Sequence, residues 1–527
     1  MRVLLINPFY PISETPSPPL GLAYLAGALQ AAGNEVRVFD LVVYPYSETR
    51  LACALEEFKP GLVGLTAVTM NVDRALALAG DVKRLAPGTA TVMGGPHVTF
   101  SARETLEACP ALDLVVLGEG EQTLVELCRT LENGKSLDAV KGIAFRSEPG
   151  IRFTPRRRTI RDLDGLPMPA RHLLPLGRYR ALGMPISMTT SRGCPHACIF
   201  CVGRRMVGAR VRFHSPARVV DEMEQISRLG FHQINLADDL FTADHSRCAA
   251  VCEEILRRHL KAQWTSFARV DTVSPDLLDR MKAAGCKAVS FGIESANSEI
   301  LKTIRKRITL DQVVSAIDMC VKAGVTPCAS FILGLPGETP DTLRETLDFG
   351  KRLGDKGLIY GFHLLAPFPG TEVRERAAEM GLHILTSDWS NYHANRAVAE
   401  TATVSRQMLD AIAVEWEDRF NRYLGDIQER MQQGRASAEE ANQVANLERI
   451  VCVYDLMMNR TIEQVGEWMP GNGAADPDVR HLIERVQAAA GGNADRLRDA
   501  LTAAARRNHL ICEHGHGRIR WRWRDYL

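Results

Sequence analysis

Ser191-Arg-Gly-Cys-Pro-His-Ala-Cys-Ile-Phe-Cys201 carries three cysteines, Cys194, Cys198 and Cys201, in a C-x3-C-x2-C run. Gly193 and Pro195 break any helix here, so the three thiolates belong on a loop that curls around a ligand. A structural zinc site wants a fourth protein ligand, usually from a second C-x2-C pair, and no such pair follows. Three soft thiolates with one position left open suit an iron–sulfur cluster whose remaining iron is free for a small ligand. The competing reading, three unrelated buried thiols, leaves the spacing beside Gly193 and Pro195 without a cause.

Working outward, strand-like runs recur at 186–190, 233–237, 264–268, 288–292, 328–332 and 359–365, with helical patterns between them. Six β–α units over 180–385 predict an open or partial (β/α)6 barrel. Barrel chemistry collects at the carboxyl ends of the strands. There stand the cysteine loop, Asp238-Asp239, Arg269 with Asp271, Glu294-Ser295, Gly334-Leu-Pro-Gly-Glu338 and Pro367-Phe-Pro-Gly-Thr371. Singly, each carboxylate reads equally well as a helix N-cap or a buried group held by backbone N–H. Their repetition at one strand end after another argues for a single site.

Upstream, Val3-Leu-Leu-Ile6 opens five β–α units over 1–139. Short apolar strands alternating with helices predict a doubly wound parallel, Rossmann-like sheet. Ligands on such sheets bind beyond the carboxyl ends of the strands. The loops at those ends are 7–20, 66–72, Gly94-Gly-Pro-His97 and Gly118-Glu-Gly-Glu121. No G-x-G-x-x-G follows the first strand, which argues against a nicotinamide cofactor. His97 reads as a cap or loop-lining residue, and Glu119 and Glu121 suit a first helical turn whatever the loop binds. Residues 140–154 alternate as a hairpin, followed by a proline-fixed connector to 179. Its Arg156-Arg-Arg158 run reads as a solvated face rather than a phosphate site.

Taken together, these motifs resemble the radical S-adenosylmethionine (SAM) enzymes that carry an N-terminal cobalamin-binding domain, the group of methylases and cyclases. The resemblance rests on Cys194, Cys198, Cys201 and the preceding Phe200, on Gly292-Ile-Glu-Ser295, and on the 331–338 stretch. In the first domain it rests on Pro18-Pro-Leu-Gly-Leu22, Gly94-Gly-Pro-His97 and Gly118-Glu-Gly-Glu121, and between the domains on 163–171. It implies a 4Fe–4S cluster on the three cysteines. The open iron binds SAM, and an electron from the cluster cleaves it to a 5′-deoxyadenosyl radical. It further implies SAM contacts from Phe200, Asp238, Arg269, Glu294, Ser295, Gly334 and Glu338. Cobalamin contacts are implied from Thr66, Thr69, Gly94, Gly95, Gly118, Glu119 and Glu121. Three departures stand out: Ser330 replaces a leading glycine, Glu338 comes one residue late, and Asp238-Asp239 replaces the usual Gly-Gly-Glu. The family's D-x-H-x-x-G cobalt-ligating motif is missing, so no histidine is assigned below the cobalt.

Beyond 385 the pattern turns helical at 405–435, 437–458, 477–489 and 494–507, ending in a hairpin about the 514–517 stretch. No family signature marks this region, which is expected to close over the substrate. Cys512, Glu513, His514 and His516 could compose a metal cluster but read as an exposed turn. Trp521 and Trp523 share a strand face. Cys248 and Cys252, at i and i+4, read as core thiols, as do Cys286, Cys320 and Cys328, unless Cys320 or Cys328 faces the barrel mouth.

The 527 residues suggest two or three domains, and 46% hydrophobic with 24% charged residues is ordinary globular composition. A net charge of +1 gives no bulk pull toward nucleic acid. No stretch approaches a membrane span. Thirteen cysteines, mostly isolated, predict a reducing cytoplasm, and an exposed cluster favours low oxygen. The activity that the resemblance implies is methyl transfer from methylcobalamin to an unactivated carbon of a small-molecule, natural-product or lipid-like substrate. A flavodoxin- or ferredoxin-like donor would supply the electron. The alternatives are a non-methylating rearrangement or oxidative cyclisation with the same cofactors, and a cofactor or redox sensor without turnover.

Overall fold

A computed structural model describes residues 1–10, 16–469, 479–491, 493–515 and 517–527. The first sheet contains β1 (Arg2–Asn7), β2 (Glu35–Asp40), β3 (Leu62–Thr66), β4 (Ala90–Gly94), β5 (Leu114–Val116), β6 (Ile143–Ser147) and β7 (Gly150–Phe153). Its order is β2-β1-β3-β4-β5-β6-β7, and β1 to β5 pair in parallel. Strand order reverses between β1 and β3, which opens a crevice at their carboxyl ends. The doubly wound expectation therefore holds. The hairpin expected at 140–154, ahead of the connector, is formed. As β6 and β7 it runs antiparallel along the sheet edge beside β5, because β5 would otherwise leave a row of unpaired backbone groups.

The second sheet contains β8 (Ile186–Met188), β11 (Gln233–Leu236), β12 (Gln263–Ala268), β13 (Cys286–Glu294), β14 (Thr326–Leu333) and β15 (Ile359–Leu364). These six strands lie side by side in chain order, all parallel. Right-handed crossovers that never reverse direction put every helix on one face, and the sheet curls about the other as a partial barrel. Between β8 and β11, the short strands β9 (Ser191–Arg192) and β10 (Arg212–Phe213) pair antiparallel and close the neck of the cysteine loop.

Alternating burial shows which way each barrel side chain faces. On β14, Pro327, Ala329, Phe331 and Leu333 are buried against the helices, while Cys328, Ser330 and Ile332 are half-buried on the lumen side. On β13, Val289, Phe291 and Ile293 alternate in the same way with Ser290 and Gly292. Apart from Ile332, the lumen-side residues of these two strands are small or polar. Cys328 lies on that side, whereas Cys320 is buried in helix Leu310–Ala323.

The last region contributes helices Arg406–Gln432, Ala438–Met458, Thr461–Val465, Val479–Ala490 and Ala494–Arg506, and a three-stranded sheet of Glu467–Trp468, Leu510–Gly515 and Arg518–Trp523. Ser437 and Glu440 form the expected capping box. Trp521 and Trp523 are both buried. Pro477, where one helix was expected to begin, and His516 of the expected turn lie outside the described residues. Glu513 is committed to Arg522. No helix among the described residues is long and apolar enough to cross a membrane.

This region clasps the connector. Arg178 is buried and donates to Asp525 Oδ1 (2.8 Å), Glu463 Oε1 (2.7 Å) and the Val43 carbonyl (3.2 Å). Helix Arg406–Gln432 lies instead along β15, with Trp416 packed on Tyr360 and Phe362. At Gly177 an added Cβ would overlap the Arg524 carbonyl oxygen, while the Gly177 amide donates to Asp525 O at 2.9 Å. Gly177→Ala must therefore push the C-terminal tail off its seat. The expected cost is about 1–3 kcal/mol, seen as a lower urea midpoint with Gly21→Ala, which meets open space, as the control.

Candidate active site

The cysteine loop is held by backbone contacts that do not involve its sulfurs. Ile199 is buried; its amide donates to Ile304 O (3.3 Å), and its carbonyl accepts from the Val373 amide (3.0 Å). Gly193 has φ +110°, a conformation open to glycine. Cys201 Sγ accepts from the Gly203 amide at 3.3 Å. Partial burial pushes the Cys194 and Cys198 thiols up, so binding a metal cluster must displace protons. Among the described residues, no three His, Cys, Asp or Glu side chains are drawn together as a single-ion site. A cluster that presents its irons at separate corners asks for wider-set thiols than one ion does. Lys306 Nζ stands 6.0 Å from the centre of the Phe200 ring.

A cavity of about 550 Å³ lies between this loop and the carboxyl ends of the first sheet. Thr66, Gly94, Gly95, Gly118, Glu119 and Glu121 line it from the first domain, and Arg192, Cys201 and Asp239 from the second. Its floor is apolar, with Leu5, Leu65, Val92 and Val116. A Cβ at Gly94 or Gly118 would meet nothing within 4 Å, so bare backbone faces the space that a large flat ligand would fill. Thr69 is not among the lining residues. It is buried and bonded to His97 Nδ1 at 3.3 Å. His97 packs edge-on to Trp389, and burial lowers its pKa to about 4. It belongs to a packed cluster in which the Arg374 guanidinium lies over Trp389 and also disfavours a charged His97, and among the described residues no histidine lines the cavity.

Glu119 and Glu121 reach the other domain. Arg192 Nη1 donates to Glu119 Oε1 (3.1 Å) and Nη2 to Glu121 Oε1 (2.6 Å). Arg212 Nη1 bonds both Glu119 oxygens at 2.9 and 3.0 Å, and the Ile160 amide adds a bond to Oε2 at 2.7 Å. Arg192, two residues before Cys194, thus ties the cysteine loop to the Gly118-Glu-Gly-Glu121 loop. Arg192 and Arg212 were not among the residues singled out in sequence. Their one signal was Arg192's place inside the motif.

Of the residues expected around SAM, Asp238 is already occupied. Its carboxylate accepts from Thr190 N (2.5 Å), Thr190 Oγ1 (2.5 Å) and Ser191 Oγ (2.7 Å), which fixes the start of the loop. Its neighbour Asp239 is exposed and faces the cavity. A Cβ on Gly203 would lie 3.1 Å from Asp239 Oδ1 and 3.4 Å from Cys201 Sγ, so these two groups flank that glycine. Arg269 is buried and held by Asp271 at 2.9 and 2.8 Å. Glu294, at φ +72° where the pairing of β13 shifts register, is paired with Lys306 at 2.7 Å. Ser295 lies 3.4 Å from Thr346 Oγ1. Glu338 Oε2 accepts from the Gly334 (2.6 Å) and Leu335 (2.9 Å) amides, while its buried Oε1 has no partner among the described residues.

Burial pushes Glu338 from 4.5 up to about 7, against the pull of those two amides. Between these values the folded chain keeps a proton that the unfolded chain has released. Its contribution to stability is therefore full below about pH 4.5 and is lost as pH rises through about 7. The change is on the order of 3 kcal/mol. Urea titrations at pH 5 and 7.5 should show wild type losing about 2–3 kcal/mol relative to Glu338→Gln at the higher pH. Asp40, which burial raises to about 6, adds a slope of the same sign in both proteins, and His97 and His509, which burial lowers to about 4, add slopes of the opposite sign; the difference between the two proteins isolates Glu338.

Comparison with known proteins places this geometry. Residues 13–128 match the family model of the B12 binding domain, and residues 188–350 that of the radical SAM superfamily. A protein of Pyrococcus horikoshii named as an uncharacterised methyltransferase is 36% identical over 400 residues, covering 74% of this chain and 86% of that one. The anaerobic magnesium-protoporphyrin IX monomethyl ester cyclase of Rubrivivax gelatinosus is 30% identical over 430 residues, covering 78% and 76%. The solved structure of the cobalamin-dependent SAM radical enzyme OxsB, with aqua-cobalamin and SAM bound, has a TM-score of 0.68 at 18% identity, covering 95% of this chain and 78% of that one. That last likeness is one of fold.

Proposed function

This chain belongs to the cobalamin-dependent radical SAM enzymes, and from that premise we propose that it transfers a methyl group to an unactivated carbon of a small-molecule substrate. The observation that carries this reading is the shared cavity, which has Cys201 and Asp239 on one wall and Thr66, Gly94 and Gly118 on the other. When bound, the cluster supplies the electron that cleaves SAM to a radical able to take a hydrogen from carbon, and cobalamin supplies the methyl group.

The chain's own residues hold and orient these groups. Cys194, Cys198 and Cys201 would hold the cluster. Phe200, Arg269, Glu294, Ser295, Gly334 and Glu338 frame SAM in the lumen, and the unpartnered Glu338 Oε1 fits a ligand N–H. Asp239 rather than Asp238 faces the ligand side, since Asp238 is spent on Thr190 and Ser191. Thr66, Gly94, Gly95 and Gly118 support the corrin over an apolar floor, and Glu119 and Glu121 act through Arg192. The reading includes a flavodoxin- or ferredoxin-type electron donor and a cytoplasmic site of action.

The similarity to the cyclase over 78% of the chain favours a second reading, oxidative ring formation without methylation. Anaerobically reconstituted protein, given hydroxocobalamin and freed of excess, is expected to retain it with a base-off spectrum. With small-molecule extract and SAM bearing a deuterated methyl group, a product gaining that group supports methyl transfer. A product without label but formed with 5′-deoxyadenosine supports cyclisation. Failure to retain cobalamin overturns both.

A further inference from the structure

A second chamber, about 160 Å³, opens beside the large cavity and shares Gly118, Glu119 and Met206 with it. Its outer wall is the Arg156-Arg157-Arg158 run, faced by Arg205. The three arginines do different things. Arg157 turns inward, donating to Thr123 Oγ1 at 2.8 Å and pairing with Glu126. Arg205 pairs with Glu375 at 2.6 Å, and Arg192 and Arg212 are matched by Glu119 and Glu121. The charge left over is that of Arg156 and Arg158. Both are exposed, and among the described residues neither has a hydrogen-bond or ion-pair partner. A pocket with two uncompensated guanidiniums, each able to bind an oxyanion through two N–H groups, is built for an anion.

We propose that this chamber binds an anionic group, a phosphate or carboxylate, carried on a molecule that also occupies the large cavity. The two spaces adjoin across Gly118, Glu119 and Met206, and that adjacency argues for an arm of one ligand rather than a free ion. The same chemistry has two sources: the phosphodiester of the cobalamin nucleotide tail, or an acidic arm of the substrate. The arginine run, read in sequence as a solvated face, is then a recognition element. The anion site stands on its own geometry and does not depend on which reaction the enzyme performs.

The test uses full-length, cluster-reconstituted protein and inorganic phosphate as the probe, followed by calorimetry at low and high salt. Saturable, salt-sensitive binding is expected, with a Kd on the order of 1 mM. Arg156→Ala/Arg158→Ala, which removes only exposed side chains, should weaken it at least about tenfold. Arg158→Glu should abolish it. Equal binding by wild type and the double variant, or no saturable binding in wild type, overturns the site. Preloading separates the sources. Phosphate displaced by cobalamin but not by cobinamide, which lacks the nucleotide and its phosphate, assigns the chamber to the cofactor tail. Phosphate that still binds beside cobalamin assigns it to the substrate. Displacement by both overturns an anion-binding role in the loaded enzyme. Phosphate binding in a chain that retains no cobalamin supports the anion site and refutes only the cofactor reading.

Discussion

Replacing Cys194, Cys198 or Cys201 with alanine is expected to abolish cluster incorporation and SAM cleavage while leaving the fold intact. Two features of the loop separate these effects. The thiols contribute little to packing: Cys201 is exposed, and the other two are half-buried. The loop is instead shaped by Ile199, whose backbone bonds to Ile304 and Val373 tie it to the helical turns on either side, and by the β9–β10 pair at its neck. Removing one sulfur therefore costs little stability, but it leaves two thiolates where the cluster needs three and a free iron. Iron and sulfide analysis after anaerobic reconstitution should fall to background in each variant, along with 5′-deoxyadenosine formation. The urea midpoint should stay within about 1 kcal/mol of wild type. Cys248→Ala is the opposing control. Its thiol is buried beside Cys252 in helix His245–Arg257, so that variant should lose stability and keep the cluster. A Cys198→Ala protein that still bound a full complement of iron and cleaved SAM would refute the assignment.

What was legible in the sequence was what neighbouring residues dictate. The cysteine loop is an eleven-residue signal, and both sheets follow from alternating apolar strands and helices. The capping box at Ser437 and Glu440 is a four-residue signal. What the sequence hid depends on partners far along the chain. Asp238 looked like a ligand contact because it stands at a strand end, yet its acceptors' needs are met by Thr190 and Ser191, 48 and 47 residues away. Glu119 and Glu121 looked like helix-start acids, but Arg192 and Arg212 lie 71 to 93 residues downstream of them. Thr69 shared a loop with Thr66 and was grouped with it, but a 3-10 turn at Thr69–Asn71 rotates it toward His97. The arginine run could not reveal which of its members turned inward, because Glu126 lies on a helix 31 residues away. The C-terminal helices were visible from their periodicity, but nothing local announced that Arg178 would gather Val43, Glu463 and Asp525 around itself.

Arg192→Ala is expected to lower stability by about 3–5 kcal/mol and to uncouple SAM cleavage from product formation. The stability loss follows from burial. The Arg192 and Glu121 side chains are 12% and 7% exposed, so truncating the arginine leaves a buried carboxylate without its counter-charge, the costly way to break such a pair. Glu119 keeps Arg212 and the Ile160 amide, so the damage falls on Glu121. Adding Glu121→Gln should therefore recover most of the stability. It should not recover function. Arg192 is a positioning residue: its fork joins the loop that starts the cluster site to the loop that lines the cavity, and so fixes the distance between them. In the double variant, 5′-deoxyadenosine should still form, because the cysteine loop keeps its own backbone anchors, but product per SAM cleaved should fall at least about tenfold. Arg192→Lys tests the fork itself. A single ammonium cannot hold Glu119 and Glu121 in the same planar geometry, so this variant should be nearly as stable as wild type and still partly uncoupled. A merely structural arginine would predict that stability and coupling recover together in the double variant, and that outcome would remove Arg192 from the alignment of the two cofactors.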